Sequence, residues 1–420
     1  MNRYILLVML CIINVSCNLL RKNESMEQIK QYVDFIEKPR LSAKEYVVKK
    51  FQDYDIVIIC ERQHRDTSQY ELFFQIAQDA WFQENVGHIF TEIGTVNSYP
   101  LLHRLLFNMP NLSPNELEME IIKIVRDYSW SPCWNAWNYP NFIKRIYWLN
   151  ESLPIERKID LIPSDFYFDW NKINTSDDYD EFYWGKFVND VWKPVKDRDS
   201  VMYEHIVMHF DSIQQYLPRK KALTILNFRH AFEQNTNYGF APEDLHTNTG
   251  KLLKDKYGNK VASVYLNGLG WPKSFDEELG YTIIQEGRWD AAFKITNKYD
   301  VGFDFAGSPF GKDKVDLTPF SYTVDSLCFS DMFTGFIYYL PISEHIQIYG
   351  IDGFVDDEFR VELERRVKIF IESWEQDISI QDFIENLCES FWGQKILLYD
   401  NLEEMESLIN KIVEDYKSFF

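Results

Sequence analysis

Tyr54-Asp55-Ile56-Val57-Ile58-Ile59-Cys60 (YDIVIIC) is an unbroken apolar run dominated by β-branched residues. It has neither the three-to-four spacing of a surface helix nor the alternation of a half-exposed strand. Its length and composition fit a strand buried on both faces, which is the environment of a parallel sheet. Four further segments read the same way: Gly87–Ile93 (GHIFTEI), Lys158–Ile162 (KIDLI), Ala222–Asn227 (ALTILN) and Lys260–Asn267 (KVASVYLN). Helical patterning separates them. Thr67 and Ser68 are candidate caps for QYELFFQIAQDAWF, a helix is expected over 97–107, and Ser113-Pro114-x-Glu116 reads as a capping box with proline at the first helical position. Helices are also expected over about 140–150 and 196–216. Strands alternating with helices define an α/β fold with a mainly parallel central sheet flanked by helices, carrying helical insertions. Residues 271–349 are less regular and rich in Gly, Asp and aromatics, and 351–420 read as a helical C-terminal extension of acidic amphipathic helices.

The N-terminus carries a different signal. MNRYILLVMLCIINVSC has a positive start at Arg3, an apolar stretch too short to span a bilayer, and small residues before Cys17. This predicts a lipoprotein signal peptide over 1–16, a lipid on Cys17, a polar tether over 17–26 and an α/β domain over 27–350. The protein is then expected in the cell envelope, held to a membrane and facing the periplasm or the cell exterior. The formal net charge is −21, which repels phosphate backbones and argues against nucleic acid as a partner. Cys60, Cys133, Cys328 and Cys388 are widely spaced, without any CxxC. They are enough for one or two disulfides in an oxidising compartment, and read mostly as buried hydrophobes.

In a parallel sheet, ligands sit beyond the carboxyl ends of the strands. Strand one is followed by Glu61-Arg62-Gln63-His64-Arg65-Asp66, and strand two ends in Thr91-Glu92. Strand three runs into Ser164-Asp165, strand four into Asn227-Phe228-Arg229-His230, and strand five into Asn267-Gly268. Carboxylates, histidines and arginines from distant segments thus gather at one sheet edge. Glu61, His64, Glu92, Arg229 and His230 are the candidate catalytic residues, and Asp165 is a candidate substrate contact. A histidine near neutral pKa can activate water, and an arginine can face an oxyanion. His205 and His209 lie one helical turn apart, a metal-binding spacing that lacks a third ligand; His88 and His103 read as structural. Trp130, Trp134 and Trp137 read as core packing or as the wall of an apolar pocket. No G-x-S-x-G elbow, P-loop or G-x-G-x-x-G appears.

The pattern Glu61-x-x-His64, Glu92 and Arg229-His230 resembles the superfamily that joins erythromycin esterases, ChaN-like lipoproteins and TraB/TIKI-like proteins. GRWDAAFKI, VGFDFAGSPFG and SDMFTGFIYYLP are similar to its later parts. The resemblance implies hydrolysis of an ester or amide in a small-molecule or peptide ligand, with His64, backed by Glu61 or Glu92, deprotonating water. It also implies two other uses of the site: a divalent metal on His64, Glu92 and His230, or haem bound without catalysis, as in the ChaN-like branch.

Overall fold

The computed structural model describes residues 23–420 apart from 135, 184, 189–190, 195–196, 238–244, 271–280, 318–326 and 390–392. The signal segment and Cys17 lie outside the described residues. All five expected strands form: β1 (Ile56–Glu61), β2 (His88–Thr95), β3 (Asp160–Asp165), β4 (Ala222–Asn227) and β5 (Val261–Leu266). Two more, β6 (Asp300–Asp304) and β7 (Gly335–Tyr339), complete a seven-stranded sheet in the order β6-β7-β5-β1-β4-β2-β3. Every neighbouring pair is parallel except β6 with β7. The chain is therefore α/β, with an antiparallel strand at one edge.

Strand β1 shows why the apolar runs are unbroken. Val57 and Ile59 point into one core cluster, and Ile56, Ile58 and Cys60 into the other. Strands β4 and β5 divide the same way, with Leu223, Ile225, Val264 and Leu266 on the first face. A period of two with both faces covered makes nearly every position apolar, Thr224 and Ser263 being buried exceptions.

β6 and β7 were hidden by their glycines. A Cβ at Gly302 would lie 2.3 Å from the Tyr46 Cβ, and one at Gly335 would lie 1.8 Å from the Tyr46 hydroxyl. The helix Ala43–Lys50 packs Tyr46 directly on the backbone of these strands, so glycine is required where strand propensity is lowest. Local capping accounts for smaller departures. Asp66, not Thr67 or Ser68, caps the helix Thr67–Ala77, and Asp79 caps a second helix, Ala80–Asn85, splitting the expected single one. The box at Ser113 and Glu116 forms as read. The tether is shorter than expected, because helix already covers 23–37 and buries Met26, Ile29, Val33 and Ile36 at helical spacing.

The C-terminal region is largely helical, and it packs into the core and adds a short strand. The helix Asp357–Ser373 sends Phe359, Leu363 and Val367 into the first core cluster. The strand β9 (Lys395–Leu397) pairs antiparallel with β8 (Ile346–Ile348). Cys388 forms a disulfide with Cys133, a sequence separation of 255; of the other expected buried cysteines, Cys60 is buried with its thiol free. The bridge holds the loop before the helix Asn138–Glu151 to the C-terminal region, and removing such a cross-link costs about 2–5 kcal/mol. Denaturant unfolding of Cys388→Ser is expected to show that loss, and reductant should produce it in the wild type but not in the variant.

Candidate functional site

The strand order sets the site. β1, β4, β2 and β3 are consecutive neighbours, so Glu61, Asn227, Glu92 and Asp165 project from adjacent carboxyl ends. β2 continues past Glu92 to Thr95, but its pairing with β3 shifts between Thr91 and Thr95. Gly94 makes this irregularity with φ +102°, a conformation other residues rarely adopt. A cavity of about 270 Å³ opens above these strand ends.

Glu92 is at its centre and is 1% exposed. Its Oε1 faces three nitrogens: Arg198 Nη2 at 3.1 Å, His64 Nε2 at 3.2 Å and His230 Nε2 at 3.5 Å. Its Oε2 accepts the backbone N–H of Asn227 at 2.7 Å. Each histidine is anchored on its other nitrogen. His64 Nδ1 lies 2.6 Å from Glu61 Oε2, and His230 Nδ1 lies 2.8 Å from Asp199 Oδ1. The result is a chain of alternating carboxylate and imidazole: Glu61, His64, Glu92, His230, Asp199. Anchoring Nδ1 on a carboxylate orients the ring and leaves Nε2 as the working atom.

The outer partners are held in turn. Glu61 Oε1 accepts from the Tyr70 hydroxyl at 2.9 Å, and Asp199 Oδ1 accepts both the N–H and the hydroxyl of Thr249 at 2.7 Å. Arg198 grips Asp165 in a two-point pair, Nε to Oδ1 at 2.9 Å and Nη2 to Oδ2 at 2.8 Å. Arg229 lines the cavity, its Nε donating to Asn227 Oδ1 at 3.1 Å.

Burial works against the charge on His64, but the carboxylates of Glu92 and Glu61 outweigh it and raise its pKa to about 10. Burial likewise opposes charge on Glu92, yet His230, His64 and Arg198 hold its carboxyl well below the usual carboxylate range. At neutral pH His64 is thus an imidazolium and Glu92 a carboxylate.

The expected site residues come together. His64, Glu92, Asp165 and Arg229 line the cavity, while Glu61 and His230 stand directly behind it. Sequence reasoning missed Arg198 and Asp199. They open the helix Arg198–Tyr216 behind the cap Asp197, and the run Asp197-Arg198-Asp199 at a helix start was the available signal. Arg198, not Arg229, makes the ion pairs to Glu92 and Asp165. Trp130 and Trp134 line the cavity with Tyr128 and Tyr183, whereas Trp137 lies beside another groove. His205 donates from Nδ1 to the Ser164 carbonyl, and His103 pairs with Asp160 away from the site.

The donor set does not fit a metal. The Arg198 guanidinium occupies the space beside Glu92 Oε1, and among the described residues no group of three or more His, Cys, Asp or Glu is arranged to hold one. Both imidazoles of the site direct Nε2 at Glu92, so neither presents that nitrogen to a haem iron.

No protein-family model matches the chain, and no curated protein matches it by sequence. Solved structures do. A succinoglycan biosynthesis protein superposes with a TM-score of 0.50 at 10% identity, covering 75% of this chain and 96% of that one. A Bacillus cereus protein gives 0.47 at 12% identity, covering 74% and 97%. A mutant of the erythromycin esterase EreC in its open conformation gives 0.44 at 12%, covering 74% and 95%. At these identities the likeness is one of fold, and it agrees with the α/β class read from the strands.

Because two carboxylates set the protonation of His64, nuclear magnetic resonance titration of its imidazole should give a pKa near 10. Glu92→Gln should lower it. A value near 6.5 in the wild type would refute the arrangement.

Proposed function

We propose that the chain is an exported lipoprotein hydrolase that cleaves an ester or amide in this cavity. The observation that carries the reading is the convergence of two carboxylate-anchored imidazoles on one oxygen of Glu92. Neither Glu92 Oε1 nor His230 Nε2 makes an aligned hydrogen bond among the described residues. A water at Glu92 gives up a proton, which passes to His230 Nε2 behind it, and the water's oxygen bonds to the carbonyl carbon. Arg198 and Arg229 face the oxyanion. The bond to the leaving group breaks as His64 donates its Nε2 proton to that group. This reverses the duty expected for His64: already protonated between two carboxylates, it is the acid, and His230 in its neutral form is the final proton acceptor.

General acid–base groups contribute about 10²–10⁴-fold to rate. His230→Gln and Glu92→Gln should lose activity on a panel of carboxylic esters by that order, with folding checked by circular dichroism. His64→Gln should lose more on an alkyl ester than on para-nitrophenyl acetate, whose leaving group needs no proton. The sign of the pH dependence follows from the raised pKa of His64: an acid is present below about 10 and lost above it, so kcat/KM on alkyl esters should fall there. A rate still rising through that range, or variants as fast as the wild type, would overturn the mechanism.

Two observations support export. The segment ending at Cys17 has the parts of a lipoprotein signal, and the Cys133–Cys388 bridge suits an oxidising compartment. No helix among the described residues is long and apolar enough to cross a membrane. Metabolic labelling with an alkyne fatty acid should mark the wild type and not Cys17→Ala; equal labelling of both would rule out that attachment site.

A further inference from the structure

One wall of the cavity is built from a segment whose described residues form neither helix nor strand. Residues 129–137 join the helix Pro114–Tyr128 to the helix Asn138–Glu151, and Ser129, Trp130 and Trp134 from this stretch line the cavity. The Trp134 ring stands edge-on to the His64 imidazole, with centroids 6.4 Å apart. A segment without regular backbone hydrogen bonds takes its position from its cross-links. Cys133, between the two tryptophans in sequence, is bonded to Cys388. Ala136 pairs antiparallel with Tyr349, and the Trp137 N–H donates to the Ile348 carbonyl at 3.1 Å.

The same C-terminal ribbon reaches the loop that carries His64. Gln347 of β8 pairs with Asp66, and Arg65 Nη1 donates to the Tyr349 hydroxyl at 3.1 Å. Tyr349 is tied to the stretch before β9, donating to the Gln394 carbonyl at 3.2 Å and accepting from the Gly393 N–H at 2.8 Å. Asn138 closes the circuit by donating from Nδ2 to the His64 carbonyl. The C-terminal region therefore holds both loops, and the disulfide is its covalent tie to the one that carries the cavity wall.

We infer that Cys133 and Cys388 are positioning residues of the site, and that tight binding of substrate in the cavity depends on their oxidation. The inference rests on the hydrolytic reading above and adds a regulation of that site. Glu61 and Glu92 hold the His64 ring from the strand ends, so the proton chemistry does not pass through the bridge, whereas the placing of the wall does. With the bridge open, Trp130 and Trp134 must be ordered again at each binding event, which weakens binding and spares turnover. In forming the bridge, the two thiols lose two protons and two electrons, and a small or protein disulfide that serves as oxidant is reduced to two thiols. Both cysteines are buried, so the bond, once made, is shielded from reductant. Export to an oxidising compartment would thus complete the site in one step.

The test compares full-length wild type with Cys388→Ser on para-nitrophenyl acetate and ethyl acetate. In the variant KM should rise about tenfold, the order of the cost of ordering two large side chains, while kcat stays within about twofold. A loss of stability alone would lower the active fraction, and with it the apparent kcat, and leave KM unchanged. Wild type reduced in dilute denaturant and returned to buffer should share the raised KM, and glutathione disulfide should restore the low one. A second readout does not depend on turnover: the Trp134 ring current displaces the His64 imidazole resonance. Trp134→Phe measures that displacement, and Cys388→Ser should lose it. Should Cys388→Ser fold poorly, Cys133→Ala/Cys388→Ala carries the same measurements without a stranded buried thiol. Ester hydrolysis with KM unchanged on loss of the bridge, or a His64 resonance still displaced, would overturn the positioning role and leave hydrolysis standing. No hydrolysis of either ester, with the displacement lost in the variant, would overturn the hydrolytic reading and keep the positioning of the wall.

Discussion

A carboxylate withdrawn almost wholly from bulk solvent is the constraint from which the rest of the site follows. Glu92 is almost fully buried, and an ionised carboxyl in such a place is unstable unless charge and hydrogen bonds replace its solvation. The chain supplies them from three separate segments: His64 after β1, the Asn227 amide at the end of β4 with His230 just beyond it, and Arg198 at the start of a helix. His64, His230 and Arg198 would themselves be poorly placed without a second partner, and each has one, in Glu61, Asp199 and Asp165 respectively. The network is therefore closed. Removing any one member leaves a charge or an imidazole uncompensated, so folding of the strand ends and assembly of the site are coupled.

The topology makes this possible. β4 inserts between β1 and β2, although more than a hundred residues separate it from either. That insertion brings Asn227 and His230 between Glu61 and Glu92.

How much of this was legible in the sequence depends on whether a feature's cause is local. β1 to β5 were readable because burial on both faces writes itself as an apolar run. The candidate catalytic side chains were readable because they directly follow those runs. β6 and β7 were not, because the reason for Gly302 and Gly335 is the Tyr46 ring, supplied by a distant helix. The Cys133–Cys388 bridge was equally hidden, since spacing carries no information about pairs brought together by tertiary folding. Arg198 and Asp199 sat inside an expected helix start, where charged residues ordinarily serve as caps. Their partners, Glu92 and His230, are what distinguish them, and those are tertiary too.

The two histidines share Glu92 but differ in their second carboxylate, and that difference gives the site a direction. Glu61 Oε2 faces His64, while the Tyr70 hydroxyl is taken up by Oε1. Asp199 Oδ1 accepts from Thr249 twice as well as facing His230. An oxygen that already accepts two hydrogen bonds stabilises a third donor less. Glu61 therefore adds its full pull to that of Glu92 on His64, which keeps that proton through neutral pH. The two imidazoles therefore face Glu92 from differently loaded carboxylates, and the loading comes from Tyr70 and Thr249, residues that do not line the cavity.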